Sequence, residues 1–190
     1  MASKHKENRS ESKLKAIFFN HNRRQGFSTA SLCKINMILN YQNFYEEIET
    51  FETFPEKITE VTTECFKRVF GCEMARTSKN IVYIWRAEKR IKRLKGESDI
   101  IYIGQTKQSF RDRHYKYANI HANSKANKLK FQYIITNFKS ISITVANFIK
   151  YGETLQKAEG QLLWWYFQNH CEFPPKNYTQ TKIRNNTIII

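Results

Sequence analysis

The chain has 190 residues, of which 41% are hydrophobic and 14% aromatic. This is enough for one buried core and too much for a chain that stays disordered throughout. Lys and Arg outnumber Asp and Glu by 32 to 17, a formal net charge of +15 at pH 7. The excess favours a polyanionic partner such as nucleic acid, although a merely solvated basic surface has the same composition. The positive charge is unevenly distributed, because residues 35–80 are net acidic and lie between two basic stretches.

The sequence also bears on the cellular location of the protein. The first residues, MASKHKENRSESK, contain no apolar run, so we expect no secretory signal. The longest strongly apolar helical run, LLWWYF, is too short to cross a bilayer, and we expect no membrane partner. The four cysteines form no CxxC pair, which argues against a zinc site or a disulfide framework. We therefore expect buried thiols and a cytoplasmic protein.

The first 77 residues contain two helical patterns. Residues 1–27 are polar and basic and predict a flexible arm, and residues 28–77 predict a helical N-terminal region. One helix is expected over 28–52, with Ser28 or Thr29 as its N-cap. A second is expected from Pro55 to Gly71, where apolar residues recur every three or four positions.

After Ser78 the pattern changes to strands alternating with helices. Strands are predicted over 80–85, 99–104 and 141–149, and helices after Thr106, over 128–138 and from Thr154 onward. The charged segment RAEKRIKRLKGES joins the first two strands and could extend their hairpin as a basic finger. Residues 78–190 thus predict an α+β domain with a small, three-stranded, mostly antiparallel sheet flanked by helices.

Tyrosines, an arginine and a glutamate recur at a characteristic spacing in this domain. Tyr83 ends Ile-Val-Tyr, Tyr102 begins Tyr-Ile-Gly, and Arg113 follows that glycine by nine residues. Glu159 lies on the last predicted helix, and Asn177 lies in a Pro-Pro-Lys-Asn stretch. With these residues the sequence resembles the GIY-YIG nuclease family over 80–180. Two departures are that IVY replaces GIY and that the connection between the tyrosines is longer than usual in the family.

The resemblance implies a role for each of these residues. Tyr83 would help to deprotonate the attacking water, Tyr102 would position phosphate or water, and Arg113 would clamp the phosphate with its forked guanidinium. A phenol has a pKa of about 10 and needs a nearby cation to act as a base, for which Lys107 and Lys116 are candidates. Without the family pattern, either tyrosine would more readily be an ordinary sheet aromatic.

Glu159 carries the strongest physical argument. It falls on the apolar stripe of its helix between Leu155 and Leu162, and a buried carboxylate needs a partner. A basic side chain would serve, but a divalent cation, Mg²⁺ or Mn²⁺, fits a nuclease better. Asn177 matches an asparagine of the family and is either part of the catalytic surroundings or a simple turn residue.

We therefore expect a metal-dependent DNA endonuclease, with Glu159 as the metal ligand and no small-molecule cofactor. The restriction or homing type is favoured, and pairing into a homodimer is one way to cut both strands. The alternatives are a non-catalytic nucleic-acid-binding protein and an RNA-directed or repair nuclease of the same fold. Further contacts to DNA are expected from basic side chains: Arg90, Lys92, Arg93, Lys107, Arg111, His114 and Lys116.

Overall fold

The computed structural model describes residues 41–177, so the predicted arm over 1–27 and most of the helix predicted over 28–52 lie outside the described residues. The helices are α1 (Phe44–Glu49), α2 (Thr63–Gly71), α3 (Glu73–Thr77), α4 (Phe110–His114), α5 (Ala118–Asn123), α6 (Lys125–Phe138) and α7 (Leu155–His170). The strands are β1 (Glu52–Thr53), β2 (Ile81–Lys92), β3 (Glu97–Thr106) and β4 (Ile141–Asn147). Short 3-10 turns lie at Tyr41–Asn43, Tyr115–Tyr117 and Phe148–Lys150.

The strands form one antiparallel sheet in the order β1-β4-β2-β3. This confirms the expected α+β class, but the sheet has four strands where three were predicted. The additional strand, β1, contains only two residues, and Glu52 pairs with Val145 of β4. A two-residue strand is too short to show an alternating pattern in the sequence.

The helix predicted from Pro55 to Gly71 begins only at Thr63. Ile58 makes an isolated bridge to β4 instead, because its N–H donates to the Ile141 carbonyl and its own carbonyl accepts from the Ile141 N–H, both at 2.9 Å. Pairing with the sheet therefore takes the backbone groups that a helix would have used. Thr62 then caps α2, since its Oγ1 accepts from the Cys65 N–H at 3.2 Å.

The main hydrophobic core lies against one face of β2. Successive strand residues point to opposite faces, and Ile81, Tyr83 and Trp85 share the face that meets the helices. Phe66 and Phe70 of α2 belong to the same core. Part of the predicted N-terminal helical region thus shares its core with the strands.

The hairpin of β2 and β3 extends beyond the predicted strands to Lys92 and Glu97, as the finger interpretation anticipated. Gly96 has φ 69°, a left-handed backbone that suits glycine at the turn. The tip is fastened to the end of α7, where the Lys95 N–H donates to the His170 carbonyl at 3.2 Å. In return, His170 Nδ1 donates to the Lys95 carbonyl at 2.8 Å. The basic hairpin is therefore anchored along the body of the protein.

The segment after Pro175 pairs with the outer edge of β3. The Lys176 N–H donates to the Ile101 carbonyl at 2.9 Å. Asn177 is 2% exposed, and its side chain continues the ladder: Oδ1 accepts from the Ile103 N–H at 3.0 Å, and Nδ2 donates to the Ile103 carbonyl at 2.8 Å. One amide side chain thus satisfies both backbone groups of the residue between Tyr102 and Gly104.

Within residues 41–177, no helix combines the length and apolar character needed to cross a membrane.

We predict that Asn177→Ala lowers the free energy of unfolding by about 2–4 kcal/mol, because two backbone groups of Ile103 lose their partners. Asn137→Ala is the matched control, since the Asn137 amide bonds only an exposed helix carbonyl, that of Tyr133. We expect the control to change stability by less than about 0.5 kcal/mol. Urea unfolding monitored by circular dichroism measures the stability of both variants. Equal losses of stability would contradict the anchoring role of Asn177.

Candidate active site

The two motif tyrosines meet on the core-facing side of the hairpin. Tyr83 pairs with Gly104 across β2 and β3, and Trp85 pairs with Tyr102. The centroids of the Tyr83 and Tyr102 rings are 5.9 Å apart, with the ring planes inclined at 41°. Tyr83 is 1% exposed and Tyr102 is half-buried. The structure therefore brings together the pair of phenols that the sequence motif predicted.

Gly104 makes this approach of the rings possible. A Cβ atom at this position would lie 2.7 Å from Tyr102 Cε1 and 2.7 Å from both Cζ and Oη of Tyr83. These separations are shorter than any van der Waals contact between the atoms concerned. The glycine of the Tyr-Ile-Gly motif is thus required by the space that the two rings occupy.

Both phenols hold their protons more tightly than free tyrosine does. Burial raises the pKa of Tyr83 well above its usual value, and Tyr102 and Glu159 raise that pKa further. Burial also raises the pKa of Tyr102, followed by the charge of Glu159. Arg113 lowers the pKa of both tyrosines, but not enough to reverse the shift. In the absence of another cation, both hydroxyls are protonated at neutral pH.

The two side chains affect each other's pKa in opposite directions. The interaction with Tyr102 raises the pKa of Tyr83, whereas the interaction with Tyr83 lowers the pKa of Tyr102. Lys107 and Lys116, the lysines expected to lower these pKa values, lie in exposed positions and are not among the groups that shift them. Lys116 Nζ lies 5.3 Å from the centroid of the Tyr117 ring.

Glu159 and Arg113 approach the tyrosines from two different helices. Glu159 is 8% exposed on α7, which Thr154 caps by accepting from the Lys157 N–H at 3.2 Å. Arg113 is exposed on α4, which Ser109 caps by accepting from the Asp112 N–H at 3.0 Å. The charges of both side chains act on the pKa values of both tyrosines.

The residues present fit a divalent cation that needs few protein ligands. Among residues 41–177, no group of three or more His, Cys, Asp or Glu side chains forms a ready-made metal site. A structural zinc ion needs such a set, whereas Mg²⁺ is held by one or two carboxylates together with waters and substrate phosphate oxygens. The nearly buried carboxylate of Glu159 beside two hydroxyls suits the second arrangement.

The side chains predicted to contact DNA divide into three groups. Arg90, Lys92, Lys107 and Lys116 are exposed, as DNA binding requires. Arg111, which we expected on the open surface, is half-buried, with its guanidinium carbon 5.1 Å from the centroid of the Tyr115 ring.

His114 and Arg93 lie inside the protein, in positions that do not suit contact with DNA. The His114 ring packs against Phe110 with 4.3 Å between centroids, and burial lowers its pKa to about 3, so it is uncharged at neutral pH. The Arg93 side chain is 6% exposed, and its Nη2 donates to the Ile100 carbonyl at 3.0 Å. Both residues stabilise the fold, His114 by ring packing and Arg93 by bonding the hairpin backbone.

The sequence analysis missed Lys176. Its Nζ lies 3.8 Å from the centroid of Phe131 and 5.4 Å from that of Trp85, whose ring contacts Tyr102 at 6.0 Å. Burial lowers the pKa of Lys176 to about 8. Its place in the Pro-Pro-Lys-Asn stretch, beside the motif asparagine, was the available signal. The half-buried lysine therefore places a positive charge against two aromatic rings of the core.

No known protein family, curated protein sequence or solved structure matches this chain. The resemblance to the GIY-YIG nucleases therefore depends on the motif residues and on where they lie, and it stays a proposal.

We predict that Gly104→Ala lowers the free energy of unfolding by about 1–3 kcal/mol, because the new methyl group overlaps both tyrosine rings. Gly160→Ala is the matched control, since a Cβ at this exposed position of α7 meets no atom within 4 Å. We expect that substitution to stabilise the helix by up to about 1 kcal/mol. Denaturant titration distinguishes them, and a Gly104→Ala chain as stable as wild type would contradict the packing described.

Proposed function

We propose that the protein is a metal-dependent endonuclease that hydrolyses phosphodiester bonds in DNA. The observation that carries this proposal is the pair of neighbouring rings of Tyr83 and Tyr102, together with the charges of Arg113 and Glu159, which act on both phenols. A phosphate has negative charge to neutralise and oxygens that accept hydrogen bonds. Two protonated phenols and one guanidinium offer the complementary donors.

The environment of each side chain supports a particular role in hydrolysis. Arg113 is permanently charged and exposed, so it can reach a phosphate and offset the charge that develops during hydrolysis. Tyr102 is half-buried and its pKa is raised, so its protonated hydroxyl can donate to a phosphate oxygen or a water. Because the pKa of Tyr83 is raised, its neutral hydroxyl would orient the attacking water rather than remove its proton as a phenolate.

Glu159 would hold the divalent cation. When bound, Mg²⁺ or Mn²⁺ supplies positive charge at the scissile phosphate and acidifies a coordinated water. Glu159 raises the pKa of both tyrosines. Neutralising its carboxylate would remove that influence and bring both phenols closer to ionisation.

DNA is the proposed substrate because exposed cations lie on the hairpin that carries the tyrosines and on the segments next to it. Lys107 and Lys116 lie on the segments that follow β3 and α4, and Arg90 and Lys92 lie on the extended hairpin. Their charges favour a long polyanion over a small phosphate ester. Within this function we propose a sequence-specific enzyme of the restriction or homing type, for which a homodimer is one way to cut both strands.

We predict that Glu159→Gln lowers the rate of Mg²⁺-dependent cleavage of plasmid DNA by at least about 100-fold, the typical effect of losing one charge-stabilising group at a reacting centre. The substitution keeps the size of the side chain and removes its charge. Gel electrophoresis of plasmid and phage DNA measures the rate.

Glu153→Gln is the control, because Glu153 is an exposed carboxylate at the start of α7 that pairs with Lys157 at 2.8 Å. It should cleave at the wild-type rate. Wild-type protein that binds DNA but leaves it uncut with every divalent metal would overturn the catalytic proposal and favour a binding protein. Cleavage of RNA but not of DNA would show that the substrate is RNA.

A further inference from the structure

A basic site lies between α2, α3 and α4, and one of its lining residues, Arg111, is on the same helix as Arg113. It is an open cavity of about 300 Å³ lined by Lys67, Arg68, Gly71, Arg76, Arg111 and Tyr115. Four of these six residues are cations, and none is acidic. An uncompensated concentration of positive charge around a cavity raises the local concentration of anions.

Two of the four cations have partners outside the cavity lining. Arg68 Nε lies 3.2 Å from Glu56 Oε2, and Arg76 Nη1 lies 3.8 Å from Glu73 Oε2. Lys67 and Arg111 form no ion pair with any residue between 41 and 177. The cavity therefore keeps about two positive charges that the described protein does not neutralise.

Arg111 also has a donor without an acceptor. Its Nε is buried, and no atom of the described residues accepts its hydrogen. A buried donor without a partner costs about 1–3 kcal/mol, and more when the group is charged. The guanidinium is held against the Tyr115 ring, 5.1 Å from its centroid, and Tyr115 also lines the cavity. Because Arg111 lines the cavity, an anion there can accept from the remaining N–H groups of its guanidinium.

Arg111 connects this cavity to the candidate active site. Arg111 and Arg113 lie two residues apart on α4, which places them about 200° apart around the helix axis. Arg113 acts on the tyrosine pair, whereas Arg111 lines the cavity on another side of the same helix. Since a DNA strand carries a phosphate about every 3.4 Å along the duplex axis, one strand could engage both arginines through different phosphates.

We propose that this cavity binds a phosphate group, and that its occupant is a backbone phosphate of the DNA other than the scissile one. Lys67 and Arg111 supply the unneutralised charge, and the Tyr115 ring packs against the Arg111 guanidinium. The site would fix the register of the strand while Arg113 holds the reacting phosphate. This inference depends on DNA being the substrate, as the proposed function states.

The test is the salt dependence of DNA binding by the full chain in EDTA, so that binding is measured without cleavage. Lys67→Gln/Arg111→Gln should reduce the slope of log affinity against log salt by about 1, the loss of one phosphate contact. The matched control is Lys125→Gln/Lys128→Gln, which removes two exposed lysines of α6 that are remote in sequence from the cavity lining. The control slope should equal that of wild type.

A second arm identifies the source of the phosphate. The NMR signal of the Arg111 Nε–H group should shift on adding a DNA duplex, and millimolar inorganic phosphate should reproduce the shift only weakly. Inorganic phosphate binding that DNA fails to displace would overturn the assignment to the DNA backbone.

The outcomes separate this inference from the proposed function. DNA cleavage combined with an unchanged slope for the cavity variant would overturn the cavity inference and leave the nuclease proposal standing. A reduced slope in a chain that never cleaves DNA would support the cavity and overturn the nuclease proposal. No affinity of wild type for duplex DNA would overturn both.

Discussion

The site depends on one steric constraint, the absence of a side chain at Gly104. The antiparallel register places this residue opposite Tyr83, and both tyrosine rings lie over the space where a Cβ would be. The Tyr83 ring is buried against the aromatic core, which includes Phe110 and His114. The half-buried Tyr102 ring packs against Tyr83 and Trp85. Burial raises the pKa of both phenols, so the geometry that places the hydroxyls side by side also keeps them protonated.

The surrounding helices carry two charged side chains that shift the pKa values of these phenols. Glu159 of α7 and Arg113 of α4 act on the tyrosine pKa values in opposite directions, and the final described segment closes the outer edge of β3 through Asn177. Each contribution comes from a different part of the chain, so the site exists only in the folded domain. The core that supports it extends back to Phe66 of α2, which explains why residues before the motif belong to the same unit.

The sequence predicted the motif residues and most of the elements because strong local patterns encode them: alternation in β2 and β3, and a Thr cap before α7. It could not predict β1 or the bridge at Ile58, which arise from pairing with β4 and have no local signature. The burial of His114 and Arg93 was missed for the same reason, since a charged or polar residue in sequence reveals nothing of the rings or carbonyls it meets. The contacts of Lys176 could not be predicted either, because only the folded chain brings it close to Trp85 and Phe131, which are far away in sequence.

The most direct test is a crystal structure of the full chain with a DNA duplex and Ca²⁺, an ion that binds oxygen ligands like those of Mg²⁺ but generally supports cleavage poorly. The account predicts one cation on the Glu159 carboxylate and a phosphate oxygen, with Arg113 within hydrogen-bond distance of that phosphate and both tyrosine hydroxyls facing it. DNA bound on another surface, with Glu159 and the tyrosine pair far from any phosphate, would contradict it.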